Sequence, residues 1–123
     1  MMTANQFLAY IDYFNSRRYD AYYADDIVVQ LPTQQLRGKD EVKAFYGEMA
    51  RCIHETVRVR KLFIDDDAIC ANIWSDFYCV ADTDRYLSRA MKQGELLRLE
   101  LVVLYTIHDG RFSHTRAGRM PIA

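Results

Sequence analysis

The 123-residue sequence contains few cysteines, glycines, prolines and histidines, and each shortage excludes a class of protein. Its three cysteines, Cys52, Cys70 and Cys79, are odd in number and lack the spacing of a metal site, so we expect them to be reduced and buried. Five glycines and two prolines form no linker or low-complexity segment. Three scattered histidines argue against a metal site. We therefore expect a single domain over residues 1–123 that holds no metal.

The sequence also lacks an excess of charge of one sign and a long apolar run. Sixteen basic and 17 acidic residues give a net charge of -1, which argues against nucleic acid as a partner. No apolar run approaches the roughly 20 residues of a membrane span, and no signal-peptide pattern precedes the first predicted helix. There is no glycine-rich phosphate loop, so we expect no cofactor. These features predict a soluble, cytoplasmic protein.

Aromatic residues are abundant, with nine tyrosines and six phenylalanines. A buried tyrosine packs its ring and still needs a partner for its hydroxyl group. This composition suits the wall of a partly polar cavity.

The N-terminal third of the chain is predicted to be mainly helical. Thr3 and Gln6 form a capping-box pattern, and apolar residues recur at helical spacing up to Asn15. We expect a second short helix over residues 19–23, a strand over 27–31 that ends at Pro32, and a polar loop over 33–37. A third helix follows from residue 39, with its apolar face formed by Val42, Phe45, Tyr46, Met49 and Ile53.

The remainder of the chain is predicted to form strands. Alternating patterns cover residues 57–64, 68–80 and 97–107, and the last of these lies in the stretch 95–116 around which the rest of the chain is organised. Asp109-Gly110 predicts a tight turn into a final strand over 112–119. Residues 81–94 form a long connection that is either a lid or a surface excursion. Helices at the start and successive antiparallel strands at the end are typical of the α+β class.

Three motifs carry a resemblance to a known superfamily. They are Tyr23-Ala24-Asp25-Asp26 before a short strand, Gly38-x-x-Glu41-x-x-x-Phe45-Tyr46, and Asp109-Gly110-Arg111-Phe112. Together they span most of the chain and resemble the nuclear transport factor 2-like superfamily, especially its SnoaL-like and ketosteroid isomerase-like branch. The resemblance implies a cone-shaped α+β barrel in which N-terminal helices pack on a strongly curved antiparallel sheet. It also implies a homodimer formed through the outer sheet face, where Val102 and Leu104 are apolar.

The same resemblance argues against ketosteroid isomerase activity itself. Those enzymes place a catalytic Asp just before a Pro at the end of the first strand, and here that position is Leu31. Tyr10 matches their oxyanion-binding Tyr, but Val103 stands where an acidic residue completes the oxyanion hole. Loss of a general base removes about 10² to 10⁴ in rate.

Two other residues are candidates for proton transfer. Asp76 lies between Trp74 and Tyr78 on one face of a predicted strand, and burial there would raise its pKa. The alternative is that Asp76 lies on the outer face, or that it pairs across the sheet with an arginine such as Arg58 or Arg60. His114 lies on the same strand face as Phe112 and Arg116, and histidine is a residue type suited to proton transfer; its alternative is a surface or core-edge histidine.

We expect a pocket for a small apolar molecule that contains a ring. Its predicted wall comprises Tyr10, Tyr13, Leu31, Tyr46, Val103 and Tyr105. The predicted chemistry is cofactor-free isomerisation, cyclisation or dehydration, with Asp76 or His114 moving the proton. The alternatives are a non-catalytic binding domain and a homodimeric interaction module.

Overall fold

The structure is a computed structural model that describes residues 2–87 and 89–120. The protein contains two helices and a six-stranded sheet with the strand order β2-β1-β6-β5-β4-β3. One helix precedes the first strand in the chain, and the other lies between the second and third strands. The elements are α1 (Ala4–Asn15), β1 (Tyr23–Gln30), β2 (Gln35–Arg37), α2 (Lys39–Met49), β3 (Ile53–Ile64), β4 (Ala68–Cys79), β5 (Leu96–His108) and β6 (Arg111–Arg119).

The sheet is mixed, which corrects the expectation of a purely antiparallel one. Strands β3 to β6 are joined by successive antiparallel pairings, as predicted. However, β1 lies parallel to β6, with Val28 opposite His114. Both helices contact the sheet, and β2 and β3 remain its two open edges. The protein thus has the cone-shaped α+β fold, with a sheet that is not closed into a barrel.

The face of the sheet that meets the helices is defined by alternation along β4 and β5. On β4 the odd-numbered residues are buried, whereas Asn72, Trp74 and Asp76 lie on the opposite face. Alternation along a strand sends successive side chains to opposite faces, so the pairing carries this pattern across the sheet. The buried set on the two strands is Ile69, Ala71, Ile73, Ser75, Phe77, Cys79, Leu101, Val103 and Tyr105.

Helix α1 is attached to this inner face at both ends. Its capping box forms as predicted, with reciprocal hydrogen bonds between Thr3 and Gln6. Phe7 and Tyr10 pack edge-on against Phe112 and Tyr105 of the central strands. At the other end, the Asn15 side chain bonds the backbone of Val57 on β3 twice, each at 2.8 Å. The helix therefore spans the sheet from its centre to one edge.

Three predicted local structures are wrong, each because tertiary pairing prevails over local pattern. Residues 19–23 form no helix. The chain changes direction at Arg17, which has a positive φ of 64°, and Tyr23 is already part of β1, where it pairs with Phe112. The predicted loop 33–37 contains β2, which pairs with β1. Ile53 opens β3 opposite Cys79 instead of ending the third predicted helix, so β3 begins four residues before the predicted start.

Other local expectations are confirmed. Asp109 and Gly110 form the β5–β6 turn with positive φ values of 51° and 75°. The three cysteines are free, and Cys79 is buried while the other two are partly buried. Within residues 2–87 and 89–120, neither helix has the length and apolar character needed to cross a membrane.

The double hydrogen bond of Asn15 makes a prediction for stability. Replacing Asn15 with Ala removes the donor and the acceptor that serve the Val57 backbone, and should lower the free energy of unfolding by about 2 kcal/mol. Urea unfolding monitored by circular dichroism measures this. Asn5→Ala is the matched control, because Asn5 is exposed on the same helix, and it should change stability by about 0.5 kcal/mol or less. Equal effects of the two variants would show that the Asn15 bonds add nothing.

Candidate functional site

Two adjoining cavities lie between the helices and the inner face of the sheet. The outer one has a volume of about 120 Å³ and the inner one about 70 Å³. They share five lining residues, so they form one site with an entrance and a deep end. The shared residues are Leu31, Tyr46, Glu55, Leu101 and Ala117.

A larger depression of about 620 Å³ lies at the opposite end of the molecule. It is formed by residues near the start of α1 and by the β3–β4 and β5–β6 turns, including Asp66 and Asp109, which are both exposed. Exposed carboxylates there are solvated, so the depression offers no desolvated group for chemistry.

The deep end of the site is walled by tyrosines. The hydroxyl groups of Tyr10 and Tyr23 are 2.9 Å apart, and Tyr10 also packs against Tyr105. Burial raises the pKa of all three phenols, and of Tyr46, well above the ordinary value of 10. All four are therefore neutral hydrogen-bond donors at any physiological pH.

Glu55 is the one acidic residue that lines both cavities. It lies on β3 between Ile53 and Val57, opposite Phe77, so its side chain shares the buried face of the sheet. The residue as a whole is only partly buried, but desolvation of its carboxyl group raises the pKa from 4.5 to about 7. At neutral pH the two protonation states of Glu55 therefore coexist.

Ser75 is the nearest polar support for Glu55. It lies on β4 opposite Val57, two residues from Phe77, which is opposite Glu55, and it is fully buried. Within the described chain, the Ser75 hydroxyl oxygen makes no hydrogen bond of normal geometry. Ser75 nevertheless lowers the pKa of Glu55, which partly offsets the rise in pKa that burial causes. Ser75 thus favours the ionised form of Glu55.

Glu55 was missed by the sequence analysis because the strand was begun at Val57. The sequence did contain a signal for Glu55. Glu55, Val57 and Val59 are alternate residues of one strand, so their side chains project to the same face. Extending the predicted strand back to Glu55 therefore places a carboxylate on its apolar face. An acidic residue in such a position is a reason to look for a perturbed pKa.

The structure brings five of the six predicted wall residues together. Tyr10, Leu31, Tyr46, Val103 and Tyr105 all line the inner cavity. Tyr13 does not, because its hydroxyl bonds Asp20 and Arg18 lies over its ring, at the rim of α1. That these residues bind a ligand remains a prediction.

Asp76 lies on the outer face of the sheet and lines neither cavity. Its carboxylate is 2.6 and 2.9 Å from the Arg98 guanidinium and 3.2 Å from that of Arg58. The prediction that burial raises its pKa is wrong: the hydrogen bonds from Arg98 hold the pKa below the ordinary value. Asp76 is therefore a carboxylate at neutral pH and belongs to a charged ladder on the outer face.

His114 is also directed away from the cavities. It lies on β6 beside the buried Thr115, and it pairs with Thr106 and Val28, which lie outside the core. It lines no part of the two cavities. Within the part of the chain that the structure describes, no group of three metal-ligating side chains comes together.

The connection between β4 and β5 forms part of the wall of the outer cavity. Tyr86 and Leu87 line that cavity, and Tyr86 packs edge-on against Phe45 of α2. The segment is held by backbone bonds between Thr83 and Met91, whose side chain is buried. Tyr86 and Leu87 thus border the site, and Ser88 lies outside the described residues.

An open mixed sheet covered by two helices, with an aromatic cavity between them, defines the nuclear transport factor 2-like class of proteins. Within that class the chain belongs to the SnoaL-like domain family, whose model matches residues 4–115. No curated protein matches the sequence.

Three similar solved structures illustrate the range of the fold. A proposed polyketide cyclase of Pseudomonas putida KT2440 is 18% identical, with 96% of this chain and 92% of that chain covered and a TM-score of 0.79. A ketosteroid isomerase-like protein of Catenulispora acidiphila DSM 44928 is 9% identical, covering 94% and 85%, with a TM-score of 0.74. An LEH-like epoxide hydrolase of M. tuberculosis is 14% identical, covering 93% and 79%, with a TM-score of 0.74. These similarities define the fold and leave activity open.

The raised pKa of Glu55 predicts how stability depends on pH. The folded protein holds this proton up to about pH 7, whereas the unfolded chain releases it near 4.5. Wild-type stability should therefore fall as pH rises between these values, since the folded state binds more protons there. Glu55→Gln removes the ionisation, so this variant should be more stable than wild type at about pH 8, by on the order of 2–3 kcal/mol.

Urea unfolding at about pH 5 and pH 8 measures this difference, which should shrink at the lower pH. Glu48→Gln is the control, because Glu48 is exposed on α2 and its replacement should give the same small effect at both values. A Glu55→Gln variant with no pH-dependent gain would mean that the carboxyl group is well solvated.

Proposed function

We propose that the protein is a cofactor-free acid–base enzyme that acts on a small apolar molecule containing a ring, with Glu55 as the proton-transferring group. The observation that carries this proposal is the position of Glu55, at the junction of both cavities and with a pKa of about 7. A general base is most effective when its pKa lies close to the working pH.

The geometry supports proton abstraction from a carbon next to a carbonyl group. The Glu55 carboxylate would take the C–H proton, and the electron pair would move onto the carbonyl oxygen to form an enolate. Return of the proton from Glu55 to the far carbon of a conjugated dienolate completes an isomerisation. Attack of the enolate carbon on a second carbonyl, whose oxygen then takes the proton from Glu55, completes a cyclisation. Both outcomes need a donor for the developing oxyanion.

The Tyr10–Tyr23 pair is suited to supply that donor. The two hydroxyls share one hydrogen bond in which either can be the donor, so the hydroxyl that accepts keeps a proton free to bond the substrate oxygen. Neutral phenols in a dry cavity stabilise a developing negative charge more than they would in water. Leu31 and Val103, which replace the acidic groups of ketosteroid isomerases, contribute apolar wall instead.

The size of the cavities limits the substrate. A cavity of about 150 Å³ is known to hold a single benzene ring in another protein, and the two cavities here are of that order. One ring with a short substituent fits the structure as it stands. A larger polycyclic molecule requires movement of Tyr86 and Leu87, which border the outer cavity.

The alternative of a non-catalytic binding domain is less well supported. Such a domain has no need for an ionisable group on its cavity wall, because a buried carboxylate lowers stability when it ionises. The desolvated position of Glu55 on the cavity wall favours catalysis. The homodimer expected from the sequence remains a prediction.

Hydrogen–deuterium exchange tests the proposal without knowledge of the substrate. The protein should catalyse deuterium incorporation next to the carbonyl of cyclohexanone in D₂O, measured by proton NMR. Glu55→Gln should slow this exchange by about 10² to 10⁴-fold. The rate should rise with pH and level off above about 7, since the carboxylate is the active form. Glu48→Gln should behave as wild type; equal rates in Glu55→Gln and wild type would eliminate Glu55 as the base.

The sequence-based assignment to Asp76 and His114 has a test of its own. Because both side chains lie on the outer face, we expect the combined Asp76→Asn and His114→Gln variant to retain the exchange activity within about twofold. A loss comparable to that of Glu55→Gln, in a variant with native circular dichroism, would restore the original assignment.

A further inference from the structure

Apart from Glu55, one charged residue lines the outer cavity, and it is Arg119. Arg119 is the last residue of β6 and pairs with Leu101, which is buried. Because directly opposed residues of antiparallel strands project to the same face, Arg119 belongs to the inner face of the sheet. The residue is exposed, so its guanidinium group lies at the entrance.

Arg119 has no protein partner within residues 2–87 and 89–120. Three other arginines, Arg58, Arg60 and Arg98, form ion pairs with Asp76 or Glu100 on the outer face. Among the described residues no side-chain hydrogen bond or ion pair involves Arg119, although a guanidinium has five N–H donors. With respect to the part of the chain that the structure describes, a permanent cation beside an apolar cavity is thus available to bind a ligand.

Glu55 does not neutralise Arg119. A nearby cation would lower the pKa of the carboxyl group, yet burial raises the pKa of Glu55, and among the described residues no ion pair joins it to Arg119. The two charged groups therefore act at separate points of one cavity, Glu55 where the two cavities join and Arg119 at the entrance.

The wall between Arg119 and the deep end of the site leaves room for a ligand. Ala117 lies two residues before Arg119 on β6, opposite Val103, and it lines both cavities. A methyl side chain at that position leaves open the path from the entrance to the interior. Thr33, whose hydroxyl can also donate a hydrogen bond, lines the outer cavity with Arg119.

We infer that the ligand is an organic anion, a ring compound bearing a carboxylate, whose carboxylate is bound by Arg119 at the entrance while the ring lies over Ala117 and extends towards Glu55. The fork of N–H donors on arginine matches the two oxygens of a carboxylate. This inference rests on the proposed function, because it names the substrate class of the same site.

A matched set of probes tests the inference. Phenylacetate, phenylacetamide and phenethylamine are similar in size and differ in charge, and their dissociation constants can be measured by NMR titration at about pH 6. At that pH Glu55 is mostly protonated, so repulsion from its carboxylate is small. Phenylacetate should bind about tenfold or more tightly than phenylacetamide, the range expected of hydrogen bonds to a charged group.

Arg119→Gln should remove that preference and leave the affinity for phenylacetamide unchanged, while Arg119→Lys should retain part of it. Arg116→Gln is the matched control: Arg116 lies on the same strand, opposite the exposed Leu104 on the outer face, and its replacement changes the charge equally. It should leave the preference intact.

The outcomes separate this inference from the proposed function. If the amide and the anion bind equally, or if Arg116→Gln weakens anion binding as much as Arg119→Gln, the role of Arg119 is refuted while the Glu55 exchange test stands unaffected. If none of the three ring compounds binds and cyclohexanone exchange is also absent, both proposals fall. Loss of the preference in Arg119→Gln alone supports the inference.

Discussion

The two hydrogen bonds between Asn15 and the Val57 backbone are the constraint on which the site depends. They supply an edge strand with the donor and acceptor that a neighbouring strand would otherwise provide, and they hold the end of α1 against that edge. The other attachment of α1 is the aromatic packing of Tyr10 against Phe112. The cavity lies between these two attachments, and Glu55 is two residues from one of them.

This arrangement places the chemistry on a rigid element. Glu55 is held on β3 by pairing with β4 rather than on a loop, and its neighbour Ser75 is held in the same way. The desolvation that raises the Glu55 pKa comes from the same apolar packing that stabilises the fold. Folding stability and the proposed reactivity are therefore opposed at this residue, because ionisation of Glu55 weakens the native state and would provide the proposed base.

Local signals in the sequence were sufficient for the capping box of α1, the long β5 strand and the Asp109-Gly110 turn, since each depends on neighbours in the chain. They were insufficient for Asp76, because both faces of β4 are largely apolar and only pairing with Arg98 on β5 shows which face is outside. The β1–β6 pairing joins distant segments, and no local pattern encodes it. The inward position of Glu55 could have been predicted from the sequence, because Glu55 alternates with Val57 and Val59 on one face of the strand.

The parallel pairing of β1 with β6 also has a consequence for how the molecule is made. Val28 meets His114 only after all the intervening strands have been synthesised. Contacts between distant segments close large loops and slow folding. Until β6 is synthesised, the edge of β1 that pairs with it presents unpaired backbone N–H and C=O groups, so the nascent chain is prone to aggregate through this edge.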